Sequence, residues 1–214
     1  MDSTSISNQT ANVQPPLMPP APVKGTIKTG FLADLFSRFV AALSIVVNPG
    51  NLLRSRLETF SWPWAMSVSG IAFFLFFLQT GLDLYRADAA GTGRVSLLAI
   101  TGIVYGTAGV AFIGAVAWTL TRAIGGSRPV DWVIRAFALS YSPALIYGLL
   151  GLAANVLMGW NTAMAFGITG ALWAIGPMTA TIREVVGDKP WASLAIATFC
   201  GGLILFGWAW VSRL

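Results

Sequence analysis

The stretch "AFALSYSPALIYGLLGLAANVLMGWNTAMAFGITGALWAIGPMTATI", Ala136 to Ile182, decides how this chain is organised. It is 47 residues long and carries no charged side chain. A helix needs about 20 predominantly apolar residues to cross a bilayer, so this run holds two spans. "MGWNT" at 158–162 supplies the turn between them. Outward from it, Glu58 and Asp83 enclose 24 uncharged residues, Arg94 and Arg122 enclose 27, and Lys189 and Arg213 enclose 23. Each of these holds one span. The count is five, over 62–84, 95–121, 131–157, 162–182 and 190–211. The expected fold is an all-α membrane protein: a five-span transmembrane helix bundle with an N-terminal interfacial amphipathic helix.

Composition agrees. The 214 residues are 56% hydrophobic and 10% charged, whereas a soluble domain carries about 25% charged residues. So few charges cannot cover a water-facing surface, and the partner implied is the lipid bilayer. Trp62, Trp64, Trp132, Trp160, Trp191, Trp208 and Trp210 fall near expected span ends, where interfacial indoles collect. The net charge of +5 comes from basic residues spread among loops. That is a topology signal rather than a nucleic-acid surface.

With the N-terminus in the cytoplasm, Lys24, Lys28, Arg38, Arg54, Arg56, Arg122, Arg128, Arg135, Arg183 and Lys189 lie inside. Only Arg86, Arg94 and Arg213 lie outside. The positive-inside rule therefore orients the chain with its C-terminus outside, in the inner membrane.

Ahead of the spans, residues 1–30 read as a disordered Pro-rich cytoplasmic tail without an apolar signal core, so no cleavage is expected. Residues 31–60 read as interfacial amphipathic helices. Phe31, Leu35, Phe39, Leu43 and Val46 share one face, opposite Asp34, Ser37, Arg38, Ala41 and Ser44. Asn48, Pro49 and Gly50 should end the first, and Asn51 should cap a second. Residues 62–211 form the membrane domain.

Chemistry has few places to reside. The chain has no His and one Cys, Cys200, which excludes imidazole bases, haem and zinc ligation by histidine, and any intrachain disulfide. No ionisable residue falls at the centre of an expected span, which disfavours proton-coupled carriers and ion pumps. A nucleophile at Ser140 or Ser142 would lack a base. No catalytic residue, cofactor or metal ligand is assigned. Gln79, Thr101, Tyr105, Thr107, Ser140, Tyr141, Ser142, Tyr147 and Asn155 are the main polar groups within the spans, and helix–helix hydrogen bonding is their expected role.

Two packing signals remain. Gly102 and Gly106, then Ala163, Gly167 and Ala171, then Ser193, Ala197 and Gly201 recur at four-residue spacing, which lets helices approach closely in a bundle or an oligomer. Pro143 lies inside the third span, where it cannot bond the carbonyl of Leu139 and should kink the helix. Neighbouring hydroxyls or another helix can meet that carbonyl.

"NPGNLLRSRLETFSWPW" (48–64), "GAVAWTLTRAIGGSRPVDWVIRAFALSYSPALIYGLLG" (114–151) and "IREVVGDKPWASLAIA" (182–197) together resemble the Yip-one (Ypt/Rab-interacting) membrane protein family, in its bacterial branch. The resemblance covers roughly residues 35–211. It rests on a surface segment with proline and tryptophan before the first span, a double-glycine loop, the Ser140, Tyr141, Ser142 and Pro143 motif, and a basic link into the last span. It implies a Yip domain of five spans acting as a non-enzymatic scaffold through other membrane proteins or self-association. Eukaryotic members carry a "DLYGP"-like motif before the first span. Here "DLY" is Asp83–Tyr85, after it, so Rab binding is not carried over. A small transporter, channel or permease-type subunit is the alternative reading.

Overall fold

The computed structural model describes residues 57–187 and 189–213, together with Val40, Ile45, Asn48, Pro49, Gly50 and Leu53. The described residues are helical with no strand among them. Five helices are long and apolar enough to cross a membrane: α1 (Trp62–Arg86), α2 (Thr92–Ala123), α3 (Val130–Met158), α4 (Ala163–Val186) and α5 (Pro190–Val211). The expected boundaries hold to within four residues. Pro63 sits in the first turn of α1 and Pro190 opens α5, where the missing N–H would have lacked a helical partner anyway. Gly159 adopts φ 69° just beyond α3, a left-handed cap that suits a residue without Cβ.

The helices alternate in direction, and hydrogen bonds between their ends show it. At the Trp62 end, the Trp62 indole donates to Asp131, Lys189 Nζ donates to the Ile124 carbonyl (2.8 Å), and the Ser127 amide donates to the Val185 carbonyl (3.4 Å). At the Arg86 end, Arg86 donates to the carbonyls of Trp160 and Asn155, and Arg94 to that of Arg213. An odd number of alternating helices puts Trp62 and Arg213 at opposite ends of the bundle.

Packing is centred on α1, which lies against α2, α3 and the start of α4. α5 packs on the second halves of α4 and α2. The result is uneven burial. α1 and α3 are mostly enclosed, whereas α2 and α5 keep broad apolar faces outward, with Phe112 67% and Phe206 69% exposed. A soluble protein would not leave such faces bare, and the bilayer is the environment they fit. Trp160, Trp191 and Trp210 are exposed, as interfacial rings should be. Trp132 and Trp208 differ from expectation: both are buried, because they lie on the faces of α3 and α5 that meet other helices.

Three helices depart from regular α geometry. α2 passes through a π-helical turn at Tyr105–Gly109 and α4 begins with one at Ala163–Ile168. α3 is broken rather than kinked. Its first part ends at Leu139, Ser140 and Tyr141 form a turn, and a second helix starts at Ser142. Pro143 therefore stands in a first helical turn, where proline is tolerated.

The face Phe31, Leu35, Phe39, Leu43 and Val46 and the tail 1–30 lie outside the described residues. Of the segment before α1, Ile45, Leu53, Leu57 and Phe60 are buried in the core cluster and Val40 is exposed. Asn48 is not helical, whereas Pro49 and Gly50 are. Helical backbone is thus already present at Pro49, ahead of the expected cap at Asn51, consistent with proline's preference for a first helical position.

Candidate functional site

The α3 break comes first, since the sequence singles it out. Ser140, Tyr141, Ser142 and Pro143 are all buried. The Ser142 hydroxyl donates to the Leu139 carbonyl (2.7 Å), the acceptor that Pro143 cannot serve. The Ser140 hydroxyl donates to the Ala136 carbonyl (2.8 Å) and lies 3.4 Å from the Thr181 hydroxyl on α4. Both serines are thus occupied by backbone acceptors of α3: Ser142 serves the carbonyl that Pro143 leaves free, and Ser140 shares the Ala136 carbonyl with its own amide.

Tyr141 points into an aromatic core. Its ring meets Phe73 of α1 edge-on at 4.9 Å, and Phe73 in turn meets Tyr105 at 5.4 Å. Phe76 stacks on Trp208 of α5 at 4.7 Å. Tyr105, carried by the π-turn of α2, donates its phenol to the Ile204 carbonyl on α5 (2.6 Å). The widened turn shifts the register of α2 at Tyr105, and that ring bridges α1 and α5. The Trp208 indole donates to the Thr80 hydroxyl (3.3 Å). Gln79 Nε2 donates to the Gly148 carbonyl of α3 (2.9 Å). Gln79 Oε1, the Tyr141 hydroxyl and Asn155 Oδ1 are buried without a partner. Cys200 is a buried free thiol.

The glycines explain how rings and helices fit. A Cβ on Gly102 would come within 2.6 Å of the Phe73 carbonyl, and one on Gly106 would overlap the Ser69 carbonyl, so α1 and α2 touch backbone to backbone. Gly201 faces the Ile175 side chain at 3.1 Å. Gly167 does something else: a Cβ there would overlap the Phe76 ring, so its role is to admit an aromatic side chain. The backbone approach on α4 falls instead at Gly170, against Ala144 Cα at 2.8 Å. Sequence spacing did not single out Gly170, since it lies outside the four-residue series.

Sequence reading used Asp83 and Arg86 only to bound the first span and orient the chain, and assigned them no partner. Asp83 Oδ2 accepts from the Thr162 and Ala163 amides, each at 2.8 Å, and Oδ1 accepts from Asn155 Nδ2 at 2.7 Å. Asn155 Nδ2 also approaches the Trp160 carbonyl and the Thr162 hydroxyl, both at 3.1 Å. Arg86 closes the cluster from outside through the carbonyls of Trp160 (3.0 Å) and Asn155 (2.5 Å). The end of α1 thereby clasps the 159–163 turn. A carboxylate at the start of α4 also complements the positive end of that helix.

At the opposite end, Asp131 pairs with Arg135 (2.5 Å), and Arg135 also donates to the Phe60 carbonyl (3.2 Å). An open cleft of about 730 Å³ is lined by Gly50, Gly176, Thr179, Ala180, Arg183, Glu184 and Gly187. Among the described residues no group of three or more His, Cys, Asp or Glu is placed to hold a metal ion. What these arrangements do chemically is join helices: hydroxyls, amides and indoles reach backbone or side-chain acceptors. Comparison with protein-family models, with curated proteins and with solved structures finds no match to the chain.

Proposed function

We propose that this chain is a non-enzymatic scaffold or interaction protein, a multi-pass member of the Yip-like family's bacterial branch. It resides in the inner membrane with its N-terminus cytoplasmic and its C-terminus outside. The observation that carries this reading is the use of the interior. Rings from four helices (Phe73 and Phe76 of α1, Tyr105 of α2, Tyr141 of α3 and Trp208 of α5) fill the centre. Around them Tyr105, Gln79 and Trp208 each donate from one helix to another. The exposed apolar faces of α2 and α5 are then the surfaces on which another membrane protein or a second copy would bear.

A transporter or channel subunit is the second reading. The buried oxygens of Gln79, Tyr141 and Asn155 that lack partners favour it, because unpartnered polar atoms in a membrane interior are costly unless water or solute reaches them.

Two measurements separate the readings. The purified chain in sealed vesicles should pass no ions or small polar solutes. A photo-crosslinker at Phe112 or Phe206, in intact membranes, should yield discrete protein adducts, including any second copy. Solute flux by the chain alone would overturn the scaffold reading in favour of the second.

A further inference from the structure

At the Trp62 end of the bundle, three cations surround the loop between α2 and α3. Arg122 Nη1 donates to the Gly126 carbonyl (3.1 Å) and its guanidinium lies 5.7 Å from the centre of the Trp118 ring. Lys189 Nζ donates to the Ile124 carbonyl (2.8 Å). The Arg128 guanidinium lies 5.1 Å from the centre of the Trp132 ring. None of the three has an ion-pair partner among the described residues; of the nearby acids, Asp131 is paired with Arg135, and Glu184, next to the Val185 whose carbonyl accepts the Ser127 amide, has an interaction of its own. Loop carbonyls and indole faces hold the cations in place without cancelling their charge. Asp188, next to Lys189 in the chain, lies outside the described residues.

Helix stability does not account for all three. Arg122, in the last turn of α2, complements that helix's negative end. Arg128 and Lys189 lie just before the N-termini of α3 and α5, where the helix dipole disfavours a cation. Their placement leaves a positive field at the depth where headgroups sit, beside indoles, with the exposed Ser127 on the same loop.

We propose that Arg122, Arg128 and Lys189 form a docking site for the phosphate of an anionic phospholipid headgroup in the adjoining leaflet. The proposal rests on the membrane-spanning arrangement and not on the scaffold reading. Basic clusters between helix ends select anionic lipids in this way, and a planar guanidinium offers paired donors to a phosphate.

The test uses the full chain purified in neutral detergent, titrated with phosphatidylglycerol, phosphatidylcholine or inorganic phosphate, with bound lipid counted by native mass spectrometry. Phosphatidylglycerol should bind in preference to phosphatidylcholine, and inorganic phosphate should neither bind nor compete at equal concentration. Arg128→Gln should weaken phosphatidylglycerol about fivefold, Arg128→Lys should fall between that variant and the unaltered chain, since it keeps the charge but loses the paired donors, and neutralising all three should remove the preference. Arg94→Gln with Arg213→Gln, at the other end, should change nothing. Arg122 and Lys189 also hold loop carbonyls, so their loss can disturb folding. Arg128 donates no side-chain hydrogen bond among the described residues, so Arg128→Gln decides the matter if the triple variant unfolds. Unchanged binding in Arg128→Gln, equal loss in the far-end pair, or equal competition by inorganic phosphate would each overturn the proposal.

Discussion

Asp83 Oδ2 accepts the backbone amides of both Thr162 and Ala163, 79 and 80 residues further along the chain, at 2.8 Å each. These amides belong to the start of α4, where N–H groups have no partner within the helix. One carboxylate therefore joins the end of α1 to the start of α4. Hydrogen bonds to a charged acceptor contribute about 1.5–3 kcal/mol each, and Asp83 is half-buried, so the lower part of that range applies. Asp83→Ala should lower unfolding stability in detergent by about 2 kcal/mol and open the 159–162 turn to protease. Asp83→Asn should cost less, since one oxygen remains to accept. A thermal midpoint unmoved by Asp83→Ala would remove the clasp from the account.

The Tyr105 phenol and Gly207 are coupled. The phenol bonds the Ile204 carbonyl, and a Cβ on Gly207 would overlap the hydroxyl. Tyr105→Phe should cost about 1 kcal/mol. Gly207→Ala should cost more, because it expels the hydroxyl and breaks the same bond. Combined, the two should cost less than their sum, since the second change has no bond left to break. Additive losses in a double-mutant cycle would contradict this arrangement.

Gly167→Ala tests the room made for Phe76. Overpacking of a filled core costs about 1–3 kcal/mol, and the clash here is with a ring that also stacks on Trp208. Phe76→Leu should relieve part of the cost. Gly202→Ala, where a Cβ meets nothing within 4 Å, is the matched control and should leave the thermal midpoint in place.

The α3 break reverses an expectation about Pro143. In a helix interior, replacing that proline would restore a backbone bond and straighten the span. In a first turn it does little, whereas Ser142→Ala strips the Leu139 carbonyl of its donor. Ser142→Ala should therefore destabilise more than Pro143→Ala, by about 1 kcal/mol. Thermal unfolding of both variants in one detergent gives the ranking, and the opposite order would restore the interior-kink picture.

Topology is checked with fusions. A reporter after Leu214 should read outside and one before Phe31 cytoplasmic. Both ends on one side would mean an even number of crossings.

The sequence by itself determined the number of spans, their limits to within a turn, and the chemistry that His and Cys would have supplied. Hydropathy and charge are local properties, and a bilayer imposes one length on every crossing, so charge-free runs suffice for that much. It also placed proline and hydroxyls where α3 breaks, although not whether the helix bends or restarts. The tertiary structure alone decided which helices touch and through what. Whether Gly167 meets backbone or the Phe76 ring depends on how two helices are rotated against each other, and no spacing within one helix records that. Asp83 looked like an ordinary end-of-span carboxylate because its partners, Asn155, Thr162 and Ala163, are distant in sequence and offer mainly backbone amides, which every residue but proline carries. The buried Trp132 and Trp208 make the same point: an indole near a span end faces lipid or protein according to its neighbours, and the neighbours are fixed only when the bundle closes.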